Sequence, residues 1–208
     1  MNHIPATHHR FTTIPDIIRI ADCIKTQTKY ITFLGYGGIY DTGMNFHLTT
    51  NKDWAEYYYS KYLFNPSIVK KRLKPGINYW KNNKGDDLKL IEEDARDNFD
   101  IDAWIEFTFR DEINKCYRIY AFTSNKKYAD KAYRFYDVHR AKLLKFISYF
   151  NQTAAHLIAE ADLPENRIQI PNYSPPNSLH QAKRDYAAEL RQENASFELK
   201  DREFEVMI

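Results

Sequence analysis

The chain has 208 residues, of which 43% are hydrophobic and 15% aromatic, and its formal net charge is +2. A chain of this size forms one domain with a sizeable core, and the near balance of charge excludes a protein whose main surface binds nucleic acid. The 6 Gly and 8 Pro residues are too few for collagen-like or low-complexity sequence.

The two cysteines, Cys23 and Cys116, form neither a disulfide framework nor a metal-binding pattern, which indicates a reducing compartment. The N-terminus lacks the apolar core of a signal peptide, and no apolar stretch is long enough to span a membrane. We therefore expect a cytoplasmic protein without membrane contact.

The first half of the chain alternates helical and strand patterns. The predicted elements are, in order, a helix over 15–26, strands over 30–36 and 44–49 joined by a turn at 41–43, a helix that Asn51 or Thr50 caps, a short helix that begins at Pro66, and a strand over 77–80.

The second half begins with an amphipathic helix over 88–99. Strands over 104–110 and 116–123 then form a hairpin, in which Ile105, Phe107 and Phe109 share one face. Residues 129–161 form one long helix or two abutting helices. The resulting fold class is α+β, with a five-stranded antiparallel sheet sandwiched by helices that enclose a ligand cavity on one face.

The composition changes near Pro164. Residues 165–180 hold three prolines and no amphipathic run, so 164–195 predict a linker after a domain over 1–163. Residues 196–208 are amphipathic and predict the first part of a helix whose apolar face the chain does not cover.

Several motifs have simple structural interpretations. The glycine-rich residues 35–38 lack the lysine of a phosphate loop and predict a strand end with a bulge or turn. The histidines lack ligand spacing, so we expect neither a metal nor a cofactor. Cys116 is predicted to be a packed thiol, and we identify no catalytic residues.

The most informative stretch covers residues 51–80. Trp54 and Tyr58 lie one helical turn apart, Asn65 precedes Pro66, and Trp80 follows that proline by fourteen residues. These aromatics form either a core cluster or an apolar pocket with an amide in its wall.

This stretch resembles the autoinducer-binding domain of LuxR-type quorum-sensing regulators, whose motif is Trp, Tyr four residues later, Asp-Pro and Trp. Residues 199–207, LKDREFEVM, resemble the opening of the LuxR-type helix-turn-helix. Asn65 stands where the family has Asp, and Asp100 and Ala103 lie where it usually has glycines.

The resemblance implies a PAS/GAF-like αβα domain that binds a small apolar signal through Trp54, Tyr58, Asn65 and Trp80. It also implies a homodimer that binds DNA through a helix-turn-helix of which 196–208 are the first, truncated part. Because the Asn65 amide adds a donor and lacks the charge of Asp, we expect weak binding of acyl-homoserine lactones and stronger binding after Asn65→Asp.

Two alternative functions remain open. In the first, the chain is an enzyme or ligand carrier on a related sensor-like fold. In the second, it is an interaction module whose aromatic residues only fill the core. A rise of the unfolding midpoint with ligand concentration distinguishes a ligand-binding protein from the module, and turnover of a retained ligand distinguishes the enzyme.

Overall fold

A computed structural model describes residues 4–63, 68–69, 73–82 and 85–173. Six strands form one sheet in the order β3-β4-β5-β1-β2-β6, and all neighbouring strands are antiparallel. The strands are β1 (Phe33–Tyr40), β2 (Met44–Thr49), β3 (Gly76–Tyr79), β4 (Asp102–Asp111), β5 (Cys116–Ser124) and β6 (Ile168–Gln169).

The helices pack on both faces of this sheet. They are α1 (His9–Thr12), α2 (Ile14–Lys25), α3 (Lys52–Tyr58), α4 (Asp86–Phe99), α5 (Ala129–Val138), α6 (Arg140–Thr153) and α7 (Ala155–Ala161), with a π-helical turn over Tyr59–Leu63 and 3₁₀ turns over Trp80–Asn82, Lys126–Tyr128 and Pro164–Asn166. Helices α2, α5, α6 and α7 share a core with one face, while α3 and α4 cover the other. The predicted α+β sandwich is confirmed.

The prediction of five strands is wrong by one, because β6 was not recognised. Ile168 and Gln169 pair with Asn45 and Met44, and the Asn45 side-chain nitrogen donates to the Ile168 carbonyl at 2.6 Å. These residues lie in the segment predicted as a linker. The remainder of that segment from residue 174, and the predicted helix-turn-helix start over 196–208, lie outside the described residues.

The glycine-rich residues 35–38 are neither a strand end nor a bulge. They lie inside β1, where Gly35 pairs with Thr49 and Gly37 pairs with His47. A Cβ atom on Gly37 would lie 2.9 Å from the Phe46 carbonyl oxygen, which is closer than side chains normally approach. Glycine is therefore required here by the neighbouring strand rather than by a turn.

The long helical pattern over 129–161 forms three helices instead of one or two. The breaks fall at His139 and Ala154. The apolar ridge that made the pattern recognisable is buried against the sheet, with Leu143 and Phe150 fully inaccessible. The ridge thus completes the core and does not form a free surface.

Among the helices of the described residues, none combines the length and the apolar character that crossing a membrane requires.

Candidate functional site

A cavity of about 90 Å³ lies between the sheet and the helical segment from α3 into the π-helical turn. Its lining is apolar or aromatic apart from a few polar side chains, among them Asn45, His47 and Glu106. Most of a small ligand's surface could thus contact apolar groups, with polar groups to fix its orientation.

Small residues form the floor of the cavity. The register places Gly35 and Gly37 of β1 on this face, and Gly35 lies opposite Ala121 of β5. Gly35 and Gly37 have no side chain and Ala121 has only a methyl group. The space above them is therefore deeper than the space above the side chains of β2 and β4. A Cβ atom on Gly35 would lie 3.2 Å from His47 Nε2, so this imidazole lies over the floor.

Aromatic rings form one wall. Asn51 accepts a hydrogen bond from the Trp54 backbone N–H at 3.0 Å and so caps α3 as predicted. Trp54 and Tyr58 of this helix line the cavity with Phe33 and Trp104. The Trp104 ring centroid lies 5.7 Å from that of Phe33 and 6.2 Å from that of Trp54.

A buried carboxylate lies beside this wall. Glu106 of β4 is only 2% exposed, and its Oε1 accepts a hydrogen bond from Trp104 Nε1 at 3.1 Å. The hydrogen bond fixes the Trp104 indole and supplies one of the donors that a buried carboxylate requires.

The side of the cavity nearest β2 has a different polar group. Tyr59 lines the cavity, and its hydroxyl is hydrogen-bonded to His47 Nδ1. Burial raises the pKa of Tyr59, although the nearby Arg10 guanidinium partly opposes the shift, so the phenol is neutral. The other ring nitrogen of His47, Nε2, is the atom that lies over Gly35.

Asp94 of α4 holds the aromatic wall in place. Its carboxylate accepts hydrogen bonds from Tyr57 at 2.9 Å, from Lys61 at 2.6 Å and from the Tyr62 hydroxyl. Although partial burial opposes it, these bonds lower the pKa of Asp94, which stays ionised. The cluster joins α3 and the π-helical turn to α4.

The structure places three of the four residues predicted to bind ligand. Trp54 and Tyr58 line the cavity, whereas Trp80 stacks on Trp104 and is not part of the described lining. Asn65 lies outside the described residues. Four residues of the site were not predicted from the sequence: Trp104, Glu106, His47 and Tyr59. The alternation of β4 did indicate that Trp104 and Glu106 share a face.

The described residues contain no cluster of acidic, histidine and cysteine side chains suited to a metal ion. Cys116 is fully buried, as predicted, and burial raises the pKa of its thiol to about 11. The thiol is therefore protonated at neutral pH and is not an activated nucleophile.

Solved structures with a similar fold include a LuxR-family regulator. CepR2 from Burkholderia cenocepacia, an N-acylhomoserine lactone-dependent LuxR-family transcription factor, matches with a TM-score of 0.50 and 14% identity, over 72% of this chain and 93% of CepR2. The chain has the fold of a LuxR-family autoinducer-binding domain. SdiA from Escherichia coli matches with a TM-score of 0.48 and 14% identity, over 85% of this chain and 72% of SdiA.

The ligand-binding domain of VqsR from Pseudomonas aeruginosa matches with a TM-score of 0.43 and 10% identity, over 66% of this chain and 89% of that domain. No protein-family model matches the sequence, and no curated protein is significantly similar to it. The LuxR-type likeness is therefore a likeness of fold.

Proposed function

We propose that this chain is the signal-sensing part of a LuxR-type transcriptional regulator, in which the cavity binds a small, largely apolar signal. The observation that carries the proposal is the cavity itself, with its floor of Gly35, Gly37 and Ala121 beneath an aromatic wall. CepR2, which has the same fold, is described as dependent on an N-acylhomoserine lactone. From the predicted set, the ligand contacts that we propose are Trp54 and Tyr58, which line the cavity. Asn65 stays a prediction outside the described residues, and Trp80 is proposed to act through Trp104, on which it stacks.

Native mass spectrometry of the chain purified from its own host tests this function. We expect a retained small molecule that is released on denaturation, and a thermal midpoint that rises with the concentration of that molecule. The Ala121→Leu variant fills the floor and should lose both effects. A chain that retains nothing from its host and binds none of its extracted metabolites favours the interaction module, and turnover of a retained ligand favours the enzyme.

Control of transcription is the second part of the proposal. The motif over 199–207 supports it, because it resembles the opening of a LuxR-type helix-turn-helix. Sequencing of the gene beyond the codon for Ile208 tests it, and we expect about 60 further codons that encode a helix-turn-helix. A stop codon directly after Ile208 would contradict DNA binding by this gene product.

A homodimer belongs to the same proposal, since regulators of this type bind two-fold symmetric DNA sites. The apolar residues of α6 and α7 are buried in the core, so we propose that the dimer interface lies elsewhere on the chain. Light scattering at tens of micromolar protein, with the retained ligand present, should give twice the mass of the chain.

A further inference from the structure

The imidazole of His47 lies across two glycines of β1, Gly35 and Gly37. His47 of β2 pairs directly with Gly37, and all three residues line the cavity. A Cβ atom on Gly35 would lie 3.2 Å from His47 Nε2, and a Cβ atom on Gly37 would lie 3.2 Å from His47 Cδ2. Both distances are shorter than ordinary van der Waals contact. The two glycines therefore leave the space that one edge of the imidazole occupies.

Tyr59 keeps the imidazole in this position. Its hydroxyl is hydrogen-bonded to His47 Nδ1, and the two rings meet edge to face, with centroids 5.6 Å apart and planes at 88°. Tyr59 is buried beside α1, where the Phe11 ring centroid lies 6.0 Å from its own and the Arg10 guanidinium carbon lies 4.5 Å from it. Contacts from α1 thus fix Tyr59 and, through Tyr59, the orientation of the His47 ring.

The position of His47 reduces the space above the floor. His47 of β2 and Trp104 of β4 line the cavity from opposite sides of the two floor strands, β5 and β1. The cavity that remains has a volume of about 90 Å³. For comparison, an engineered apolar cavity of about 150 Å³ binds benzene. A ligand that lies along the aromatic wall would therefore meet the imidazole where it extended over β1.

We propose that His47 sets the maximum size of the signal, because its imidazole fills the part of the cavity above Gly35 and Gly37. This inference rests on the proposed ligand-binding function and specifies the ligand class, a compact apolar molecule with the bulk of about one six-membered ring. A longer ligand needs the space that the imidazole occupies. Removal of the imidazole should extend the cavity over both glycines and admit such a ligand.

Calorimetry with the full chain tests this size limit, with benzene and n-butylbenzene as probes. Each methylene group that becomes buried should strengthen binding about fourfold, whereas a methylene group without room adds nothing. We expect the parent chain to bind butylbenzene no more tightly than benzene. In His47→Ala, butylbenzene should bind at least about tenfold more tightly than benzene, because its alkyl chain can lie over Gly35 and Gly37.

His47→Phe is the matched control. Like His47→Ala, it loses the hydrogen bond to Tyr59, but it keeps a ring over the glycines and should show the parent's ratio of affinities. Both variants should fold, because His47 is only partly buried. If His47→Ala does not fold, the double variant His47→Ala/Tyr59→Phe replaces it, because it also removes the hydroxyl that has lost its partner. A tenfold preference for butylbenzene in His47→Phe as well would overturn the size limit.

Three other results would overturn the role of His47. They are a parent chain that already prefers butylbenzene about tenfold, a His47→Ala variant with the parent's ratio, and the failure of both probes to bind to any of these proteins. All of them are separate from the test of function. A long molecule retained from the host would leave the sensing function in place and reject the size limit, while a compact apolar molecule would support both.

Discussion

The indole of Trp80 lies flat on the indole of Trp104, with ring centroids 3.8 Å apart and planes 7° from parallel. Only Trp104 is part of the described cavity lining, and it also donates to Glu106. Trp80, the second tryptophan of the sequence motif, thus packs against the cavity wall, and Trp104 is the tryptophan that lines the cavity.

Trp104→Phe should destabilise the fold by about 1–3 kcal/mol, because it removes a donor from the buried Glu106 carboxylate. In the Glu106→Leu background the same substitution should cost at least about 1 kcal/mol less, since no carboxylate is left to lose its donor. Urea unfolding of the four proteins gives the coupling free energy. Additive costs would show that the hydrogen bond contributes nothing.

Gly37→Ala should destabilise the chain by about 1–3 kcal/mol, because its Cβ would meet the Phe46 backbone oxygen at 2.9 Å. Gly35→Ala meets the movable His47 side chain at 3.2 Å, so it should fold with a smaller loss and reduce the space above the floor. Thermal unfolding ranks the two variants. The opposite order would contradict the described register of β1 and β2.

Asp94→Asn should cost about 1–3 kcal/mol, because three hydrogen bonds to a charged acceptor are weakened at once. The matched control is Asp97→Asn on the same helix, where the carboxylate is 66% exposed and its ion pairs with Arg96 and Lys126 are screened by solvent. Chemical denaturation should leave this control within about 0.5 kcal/mol of the parent chain. Equal losses of unfolding free energy in both variants would show that Asp94 does not stabilise the aromatic wall.

The stability of the fold should fall as the pH is lowered from about 6.5 toward 4 through His8. Burial, with Arg10 and His9 nearby, lowers the pKa of His8 to about 4, whereas an unfolded histidine titrates near 6.5. Between these values the unfolded chain binds the proton more tightly, so stability is full above 6.5 and is lost toward 4. His8→Asn keeps a capping oxygen for α1 without titrating. Urea midpoints at pH 7 and pH 5 should differ less in this variant than in the parent chain.

Sequence patterns were sufficient where the determining contacts are local. The alternation over 104–110 predicted β4, and the side chain of Asn51 caps α3 as expected. β6 could not be predicted, because its two residues pair with a strand more than a hundred residues earlier and carry no turn signal of their own. The polar end of the cavity was missed for the same reason: Arg10, His47 and Tyr59 meet only in the folded chain.

The backbone before β4 is a second feature that could not be predicted from the sequence. Asp100 and Ala103 have φ angles of 52° and 46°, in the left-handed region that favours glycine. The Asp100 carboxylate accepts the Lys126 backbone N–H at 3.0 Å and the Asn125 side-chain amide at 2.6 Å, which compensates for the conformation. Two residues other than glycine thus hold a conformation that glycine adopts more readily, and the sequence pattern did not indicate it.

The side-chain amide of Asn45 joins two parts of the molecule that are far apart in sequence. Its oxygen accepts from Arg10 and its nitrogen donates to the Ile168 carbonyl of β6. One amide therefore couples the electrostatics of the cavity to the strand from which the chain leaves the sheet. Linkage makes such a coupling reciprocal: if occupancy of the cavity strengthens the β6 pairing by a given free energy, a tether that holds β6 in place raises ligand affinity by the same amount.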